Sequence, residues 1–157
     1  MRQLIAAFAM LAACVGASAA EVAGVKLEDT LTVGGAELVL NGAGARKRFG
    51  FANVYVAALY LPSRTTNADA VIAAEHLRRV LLVMKRSVES ESMLASLHEA
   101  LRRNNGSAEM EAIAPQLAKL DAIFLAIKSR EGDRIALDFG KDGSVTIFYN
   151  DQPQGML

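Results

Sequence analysis

The sequence has few of the residues that commonly carry metal or redox chemistry. Its 157 residues include one cysteine, two histidines and no tryptophan. A single cysteine excludes a disulfide within the chain and a cysteine-rich zinc site. The two histidines, His76 and His98, have no close carboxylate pattern beside them, and no dinucleotide-binding, phosphate-loop or zinc-protease motif is present. We therefore expect neither a metal nor a cofactor.

An excess of charge of either sign is also absent. Lysine and arginine together number 17, as do aspartate and glutamate, so the formal net charge is zero. No long-range positive field would attract nucleic acid, and a nucleic-acid partner is therefore not expected. Beyond the first 20 residues, no apolar run is long enough to indicate a transmembrane helix. The length and the apolar content of 52% predict one soluble domain with a substantial core.

The first 20 residues have the pattern of a secretory signal peptide. A positive charge near the start is followed by an apolar segment and then by small residues up to Ala20. Cleavage after Ala19 or Ala20 would release a mature domain, residues 21–157, into the periplasm or the medium. The segment LAAC allows a second interpretation, in which Cys14 is lipidated and anchors the protein. Under the first interpretation the mature protein contains no cysteine.

Strand-like and helix-like segments follow one another in blocks. Between residues 22 and 61, short segments rich in valine and leucine predict antiparallel strands, and Gly42 and Gly44 are interpreted as turn glycines. The other predicted elements are a short helix over 66–77, a buried strand over 80–85, helices over 89–106 and 107–127, and strands over 134–140 and 145–150. Pro115 predicts a kink or break in the last helix. The sequence therefore predicts an α+β fold, an antiparallel sheet with helices inserted between its first and last strands.

Three segments carry a resemblance to a known family. They are LNGAGARKRFGFANVYVAALYLP at 40–62, VLLVMKRSV at 80–88 and IALDFGKDGSVTIFYNDQPQG at 135–155. Together with the helix pair, they resemble the bacterial secreted members of the chalcone isomerase-like family over nearly the whole mature chain. The resemblance implies an open-faced sandwich, in which a large antiparallel β-sheet is covered by a layer of α-helices. It also implies a ligand cleft between the two layers.

The resemblance further implies candidate functional residues. Plant enzymes of the family cyclise chalcones, and plastid relatives without that activity bind fatty acids. In both, an arginine after the Gly-Ala-Gly segment faces the cleft, and here that residue is Arg46. Fatty-acid binders pair this arginine with a strand tyrosine, for which Tyr55 is the best match. Ser92 and Glu99 stand where the enzymes have a catalytic tyrosine and asparagine, which implies no catalytic residue. The family's C-terminal helical segment is expected to be missing after Leu157.

The residue types at these positions suit the binding of a carboxylate. A guanidinium is always charged and donates two parallel hydrogen bonds to a carboxylate, and a tyrosine hydroxyl adds another donor. Strand alternation predicts that Asn53 and Tyr55 share a face with small and aliphatic residues. We therefore predict a ligand site formed by Arg46, Tyr55 and Asn53. Lys47 and Arg48 are interpreted as solvated hairpin residues.

Three hypotheses about function follow. The leading hypothesis is a periplasmic, non-catalytic protein that binds a fatty acid or a similar amphipathic carboxylate. The second is an enzyme, an isomerase or intramolecular lyase that acts on a phenolic or enone compound. The third is an accessory protein with a vestigial cleft that acts through a protein partner. A bound ligand that depends on Arg46 would favour the first hypothesis, and turnover that depends on Arg46 would favour the second. The third hypothesis predicts neither a bound ligand nor turnover.

Overall fold

The computed structural model describes residues 20–48, 50–73 and 75–157, and the predicted signal peptide lies outside these residues apart from Ala20. The strands are β1 (Ala20–Val22), β2 (Val25–Leu27), β3 (Thr30–Val33), β4 (Ala36–Arg48), β5 (Ala52–Leu61), β6 (Arg78–Met84), β7 (Arg134–Phe139), β8 (Val145–Tyr149) and β9 (Gln152–Met156). The helices are α1 (Ala68–Ala73), α2 (Ser90–Asn104) and α3 (Ser107–Ala126).

Seven of the strands form one antiparallel sheet. Their order is β3-β4-β5-β6-β7-β8-β9, so each strand pairs with its neighbour in the chain, while β1 and β2 form a separate hairpin. Sequential pairing is the arrangement that short connections favour. Helices α2 and α3 are inserted between the central strands β6 and β7 and cover one face of the sheet. The predicted fold class, an antiparallel sheet covered by helices, is confirmed.

The sheet buries apolar side chains on both faces, because side chains alternate along each strand. On β5, Val56, Ala58 and Tyr60 belong to the core on the face away from the helices, where the β1–β2 hairpin also packs. Met84 of β6 and Ile135 of β7 belong to the second core, which includes side chains of α2 and α3. Because the central strands are covered on both faces, they are apolar on both sides, as the continuous run at 80–84 predicts.

Two hydrogen bonds attach the helix layer to the chain segments around it. The Ser90 hydroxyl, at the start of α2, donates to the carbonyl oxygen of Ile127 at 2.5 Å. The Ser129 hydroxyl, just after α3, donates to the carbonyl oxygen of Val88 at 2.9 Å. The two bonds cross between the same two segments and therefore fix where α2 begins relative to where α3 ends. This position decides how closely α2 approaches the sheet.

Gly42 and Gly44 lie inside β4, so their interpretation as turn glycines is wrong. Strand β4 runs without a break to Arg48, and neither glycine has a positive φ. Two glycines lower the strand propensity of this segment, but both pair with β5, Gly42 with Leu59 and Gly44 with Ala57, and this pairing holds the segment extended. The described turn residues come later, at Gly50 and Phe51, where Gly50 has a φ of 79°.

Three other elements differ from the sequence prediction. Helix α1 is shorter than the predicted helix over 66–77, and its start is fixed by Asn67, which accepts a hydrogen bond from the Ala70 amide at 3.1 Å. Pro115 does not break α3, which continues for a further eleven residues to Ala126. Strand β9 was not predicted, because Gln, Pro and Gly are typical of turns. Proline has no amide hydrogen to donate to a neighbouring strand. Pro153 is tolerated because β9 is an edge strand of the sheet.

Candidate functional site

A cleft of about 590 Å³ opens between the sheet and α2. Strands β4 to β7 form its floor, α2 forms its wall, and α3 contributes one aromatic side chain. Its apolar lining includes Val80, Leu82, Leu97, Phe124, Leu137 and Phe139. The volume falls within the range of about 300–1,000 Å³ that small-molecule sites occupy. The cleft is therefore large enough for a chain-like or flat apolar ligand.

Arg46 and Tyr55 stand next to each other on the cleft floor. They are directly opposite partners in the β4–β5 ladder, and both line the cleft. Opposite side chains on one face of an antiparallel pair have their Cβ atoms about 4.5–5.5 Å apart. Arg46 is exposed and Tyr55 is half-buried. The pair thus presents a guanidinium and a phenol hydroxyl at the same end of the cleft.

The charge of the cleft lining has one sign. Arg46, Lys47 and Arg48 all line it, and no aspartate or glutamate is among the lining residues. Within the described part of the chain, neither the Arg46 guanidinium nor the Tyr55 hydroxyl takes part in a hydrogen bond or an ion pair. These donors are therefore available to a negatively charged group at the end of an otherwise apolar cleft.

The α2 wall adds two hydroxyl groups. Ser92 and Ser96 lie one helical turn apart and both line the cleft, together with Met93 and Leu97. The Ser96 hydroxyl donates to the carbonyl oxygen of Ser92 at 3.0 Å, so its hydrogen is already used within the helix. The wall is therefore mainly apolar, with one serine hydroxyl free of such a bond among the described contacts.

Asn53 does not line the cleft, although the sequence predicted that it shares a face with Tyr55. The β4–β5 register shifts at this point, because Arg46 pairs with Tyr55 but Lys47 pairs with Asn53, which leaves Val54 as an extra residue. Such a bulge interrupts the alternation of side chains. The Asn53 Oδ1 atom is buried and has no hydrogen-bond partner within the described residues. The predicted shared face is therefore wrong.

Four further residues named from the sequence differ in their position relative to the cleft. Lys47 and Arg48 were interpreted as solvated residues, yet both contribute to the lining. Their position directly after Arg46 in the chain was the available signal, and both side chains are exposed at the open end of the cleft. Ser92 lines the cleft, whereas Glu99 lies outside it and forms an ion pair with Arg103.

The groups with shifted pKa values lie away from the cleft. Burial raises the pKa of the Tyr60 hydroxyl, which donates to the carbonyl oxygen of Glu28 on the opposite face of the sheet. Hydrogen bonding to Asp138 raises the pKa of Arg79 on that same face. The described residues contain no group of three or more histidine, cysteine, aspartate or glutamate side chains arranged to hold a metal. None of the described helices is long and apolar enough to cross a membrane.

A solved structure shares this architecture. The chain is similar to the crystal structure of the Arabidopsis thaliana fatty-acid binding protein AtFAP1, with a TM-score of 0.66 and 13% sequence identity. The similarity covers 85% of this chain and 78% of that one. At this identity the similarity shows a common fold.

Sequence comparison identifies the family. No curated protein matches the chain significantly. The family model described as chalcone isomerase-like matches residues 19–157, which include every described residue. The chain therefore belongs to the chalcone isomerase-like family.

Proposed function

We propose that the protein binds a fatty acid or a similar amphipathic carboxylate in the cleft between the sheet and α2. The observation that carries this proposal is the distribution of polarity along the lining. The described lining is mainly apolar along the strands and α2, and its only charged residues are three cations at one end. A ligand that matches both parts has an apolar body and an anionic head group. The likeness in fold to a fatty-acid binding protein supports the same ligand class.

Arg46 and Tyr55 would hold the head group. Since the two residues are partners in one ladder and lack partners of their own among the described contacts, they offer a planar pair of donors and a hydroxyl without breaking another interaction. A charge-assisted hydrogen bond is roughly twice as strong as a neutral one. Leu82, Leu97 and Phe124 would contact the apolar body. Asn53 has no part in this proposal, because its side chain lies outside the cleft.

The proposed location is the periplasm, after removal of a signal peptide. Expression of the full chain in a bacterial host, followed by fractionation and mass determination, tests this location. A mature protein that begins at Ala20 or Glu21 supports it. A lipid-modified Cys14 at the new N-terminus would instead indicate a membrane-anchored lipoprotein.

The ligand is tested by mass spectrometry on the secreted protein after denaturation. We expect a carboxylate with a long apolar chain in the wild type and its loss in Arg46→Ala. The matched control is Arg102→Ala, because Arg102 is an exposed arginine of α2 that does not line the cleft. The affinity for a fatty acid, measured by displacement of a fluorescent analogue, should fall about tenfold in Arg46→Ala. This factor corresponds to the lower end of the energy range for a hydrogen bond to a charged group, as expected at an exposed site.

Two outcomes would contradict the proposal. One is a folded wild-type protein that neither contains nor takes up a carboxylate. The other is equal loss of binding in the Arg46 and Arg102 variants, which would mean that general charge and not the cleft governs uptake. Tyr55→Phe separates the two donors, because it removes the hydroxyl and keeps the ring that forms part of the cleft floor.

A further inference from the structure

The loop between β4 and β5 exposes an aromatic side chain. Phe51, directly before β5, is 81% exposed, and Gly50 beside it has a φ of 79°, which allows the tight reversal. Single exposed apolar residues are common on protein surfaces and require no explanation. The surroundings of Phe51 decide whether this one has a use.

Basic residues surround this loop. Lys47 and Arg48 precede it on β4 and are exposed. Arg86, also exposed, is held at the same end of the sheet, since its Nε donates to the carbonyl oxygen of Asn53 at 3.0 Å, and Asn53 pairs with Lys47. We call Lys47, Arg48, Phe51 and Arg86 the hairpin patch.

Negative charge is missing from this part of the chain. Between Glu37 and Asp69 the sequence contains no acidic residue, although the whole chain has equal numbers of acidic and basic residues. The positive charge of the hairpin patch is therefore a local feature and not a reflection of the composition. Attraction to an anionic surface would act through the β4–β5 hairpin.

We propose that the hairpin patch docks reversibly on an anionic lipid bilayer. Phe51 would enter the interfacial region, and Lys47, Arg48 and Arg86 would contact lipid phosphates. Interfacial aromatic residues combined with basic residues are the pattern that peripheral membrane proteins use. The area also favours lipid over a protein partner. The patch has one apolar side chain, whose ring offers about 150–250 Å², and this is little for the apolar centre of a stable protein interface that buries about 800 Å² on each side.

Docking would bring the cleft to the lipid surface. Lys47 and Arg48 belong both to the hairpin patch and to the cleft lining, so the charged end of the cleft opens beside the docking loop. A ligand with an anionic head group would then pass between the bilayer and the cleft over a short distance. The docking itself depends on the patch alone and holds with or without the proposed fatty-acid ligand.

The test is flotation of the purified secreted protein with vesicles. Phosphatidylcholine vesicles are compared with vesicles that also contain phosphatidylglycerol, at low and high salt. We expect binding only to the anionic vesicles, and weaker binding at high salt because exposed charges are screened. Arg86→Gln should weaken binding about fivefold, and Phe51→Ser about tenfold. Neither residue lines the cleft, so both variants should keep any ligand that copurifies with the wild type.

Matched controls come from remote surfaces. Ile72 on α1 is 77% exposed, so Ile72→Ser removes a comparable apolar group, and Arg102→Gln on α2 removes an exposed positive charge. Neither control should change flotation. The proposal is overturned if the wild type does not float with anionic vesicles or floats equally with neutral ones. It is also overturned if Ile72→Ser loses as much binding as Phe51→Ser.

Ligand analysis of the same samples separates this proposal from the proposed function. Vesicle binding by a protein without a copurifying carboxylate would leave docking in place and remove the fatty-acid hypothesis. A copurifying carboxylate with no vesicle binding would support the fatty-acid hypothesis and overturn docking. If the wild type binds no vesicles but captures a protein, and Phe51→Ser loses that protein, membrane docking is overturned.

Discussion

Replacement of Asp138 by alanine should destabilise the protein through the cation that it leaves behind. Asp138 of β7 and Arg79 of β6 are directly opposite partners on the sheet face away from the helices. Arg79 Nε and Nη2 donate to the two carboxylate oxygens at 2.5 and 2.7 Å. The side chains are only 15% and 11% exposed, and the guanidinium carbon lies 5.4 Å from the centre of the Phe148 ring. Asp138→Ala therefore leaves two donors of a largely buried cation without a partner.

The expected cost follows from this burial. Removing one partner of a buried ion pair costs about 3–5 kcal/mol, and partial access of water to Arg79 places the cost at about 2–3 kcal/mol. For a domain of this size, that corresponds to a fall of about 6–12 °C in Tm. Replacing both partners by apolar residues, as in Arg79→Met with Asp138→Leu, should restore stability to within about 1 kcal/mol of the wild type. Buried pairs gain little net stability over apolar residues of similar volume.

Thermal and urea unfolding of the purified protein, followed by circular dichroism, measures both variants. Arg103→Gln is the control, because the Arg103–Glu99 pair is exposed and its loss should cost less than about 0.5 kcal/mol. Equal destabilisation of Asp138→Ala and the double variant would refute the reasoning. It would show that lost packing, and not an unpaired charge, is the cause.

Two further predictions concern α3 and the β7–β8 end of the sheet. Pro115→Ala should raise the free energy of unfolding by about 1–3 kcal/mol, because alanine restores a backbone amide inside α3 and Pro115 is exposed. A loss of stability in urea unfolding would contradict this prediction. Tyr149 donates to Asp133 at 2.6 Å, and this bond is the largest cause that lowers the pKa of Asp133. A lowered pKa stabilises the fold above the unfolded value of about 3.9, and that contribution is lost as the pH falls through the folded pKa. Tyr149→Phe should therefore lower Tm most above about pH 4 and progressively less at lower pH, whereas a difference independent of pH would exclude the carboxylate as the cause.

Much of the fold could be predicted from local patterns. The apolar run around Leu82 predicts a central strand, and the spacing of Met93, Leu94 and Leu97 predicts an amphipathic helix, since both patterns depend only on neighbours along the chain. The predictions failed where pairing partners override composition. Gly42 is of a type that favours turns, and Pro153 is of a type that disfavours strands. Pairing with adjacent strands nevertheless holds both segments extended.

The features of the candidate site also separate into those that local sequence predicts and those that depend on pairing between strands. The sequence by itself determined the excess of cations between Glu37 and Asp69, the choice of Arg46 and the family to which the chain belongs. Only the tertiary structure decided that Tyr55 stands beside Arg46 and that Asn53 does not line the cleft. The physical reason is a single bulge, which changes the side-chain alternation of β5 through its register with β4. The cleft likewise exists because α2, far along the chain, packs over these strands at a distance that local sequence does not encode.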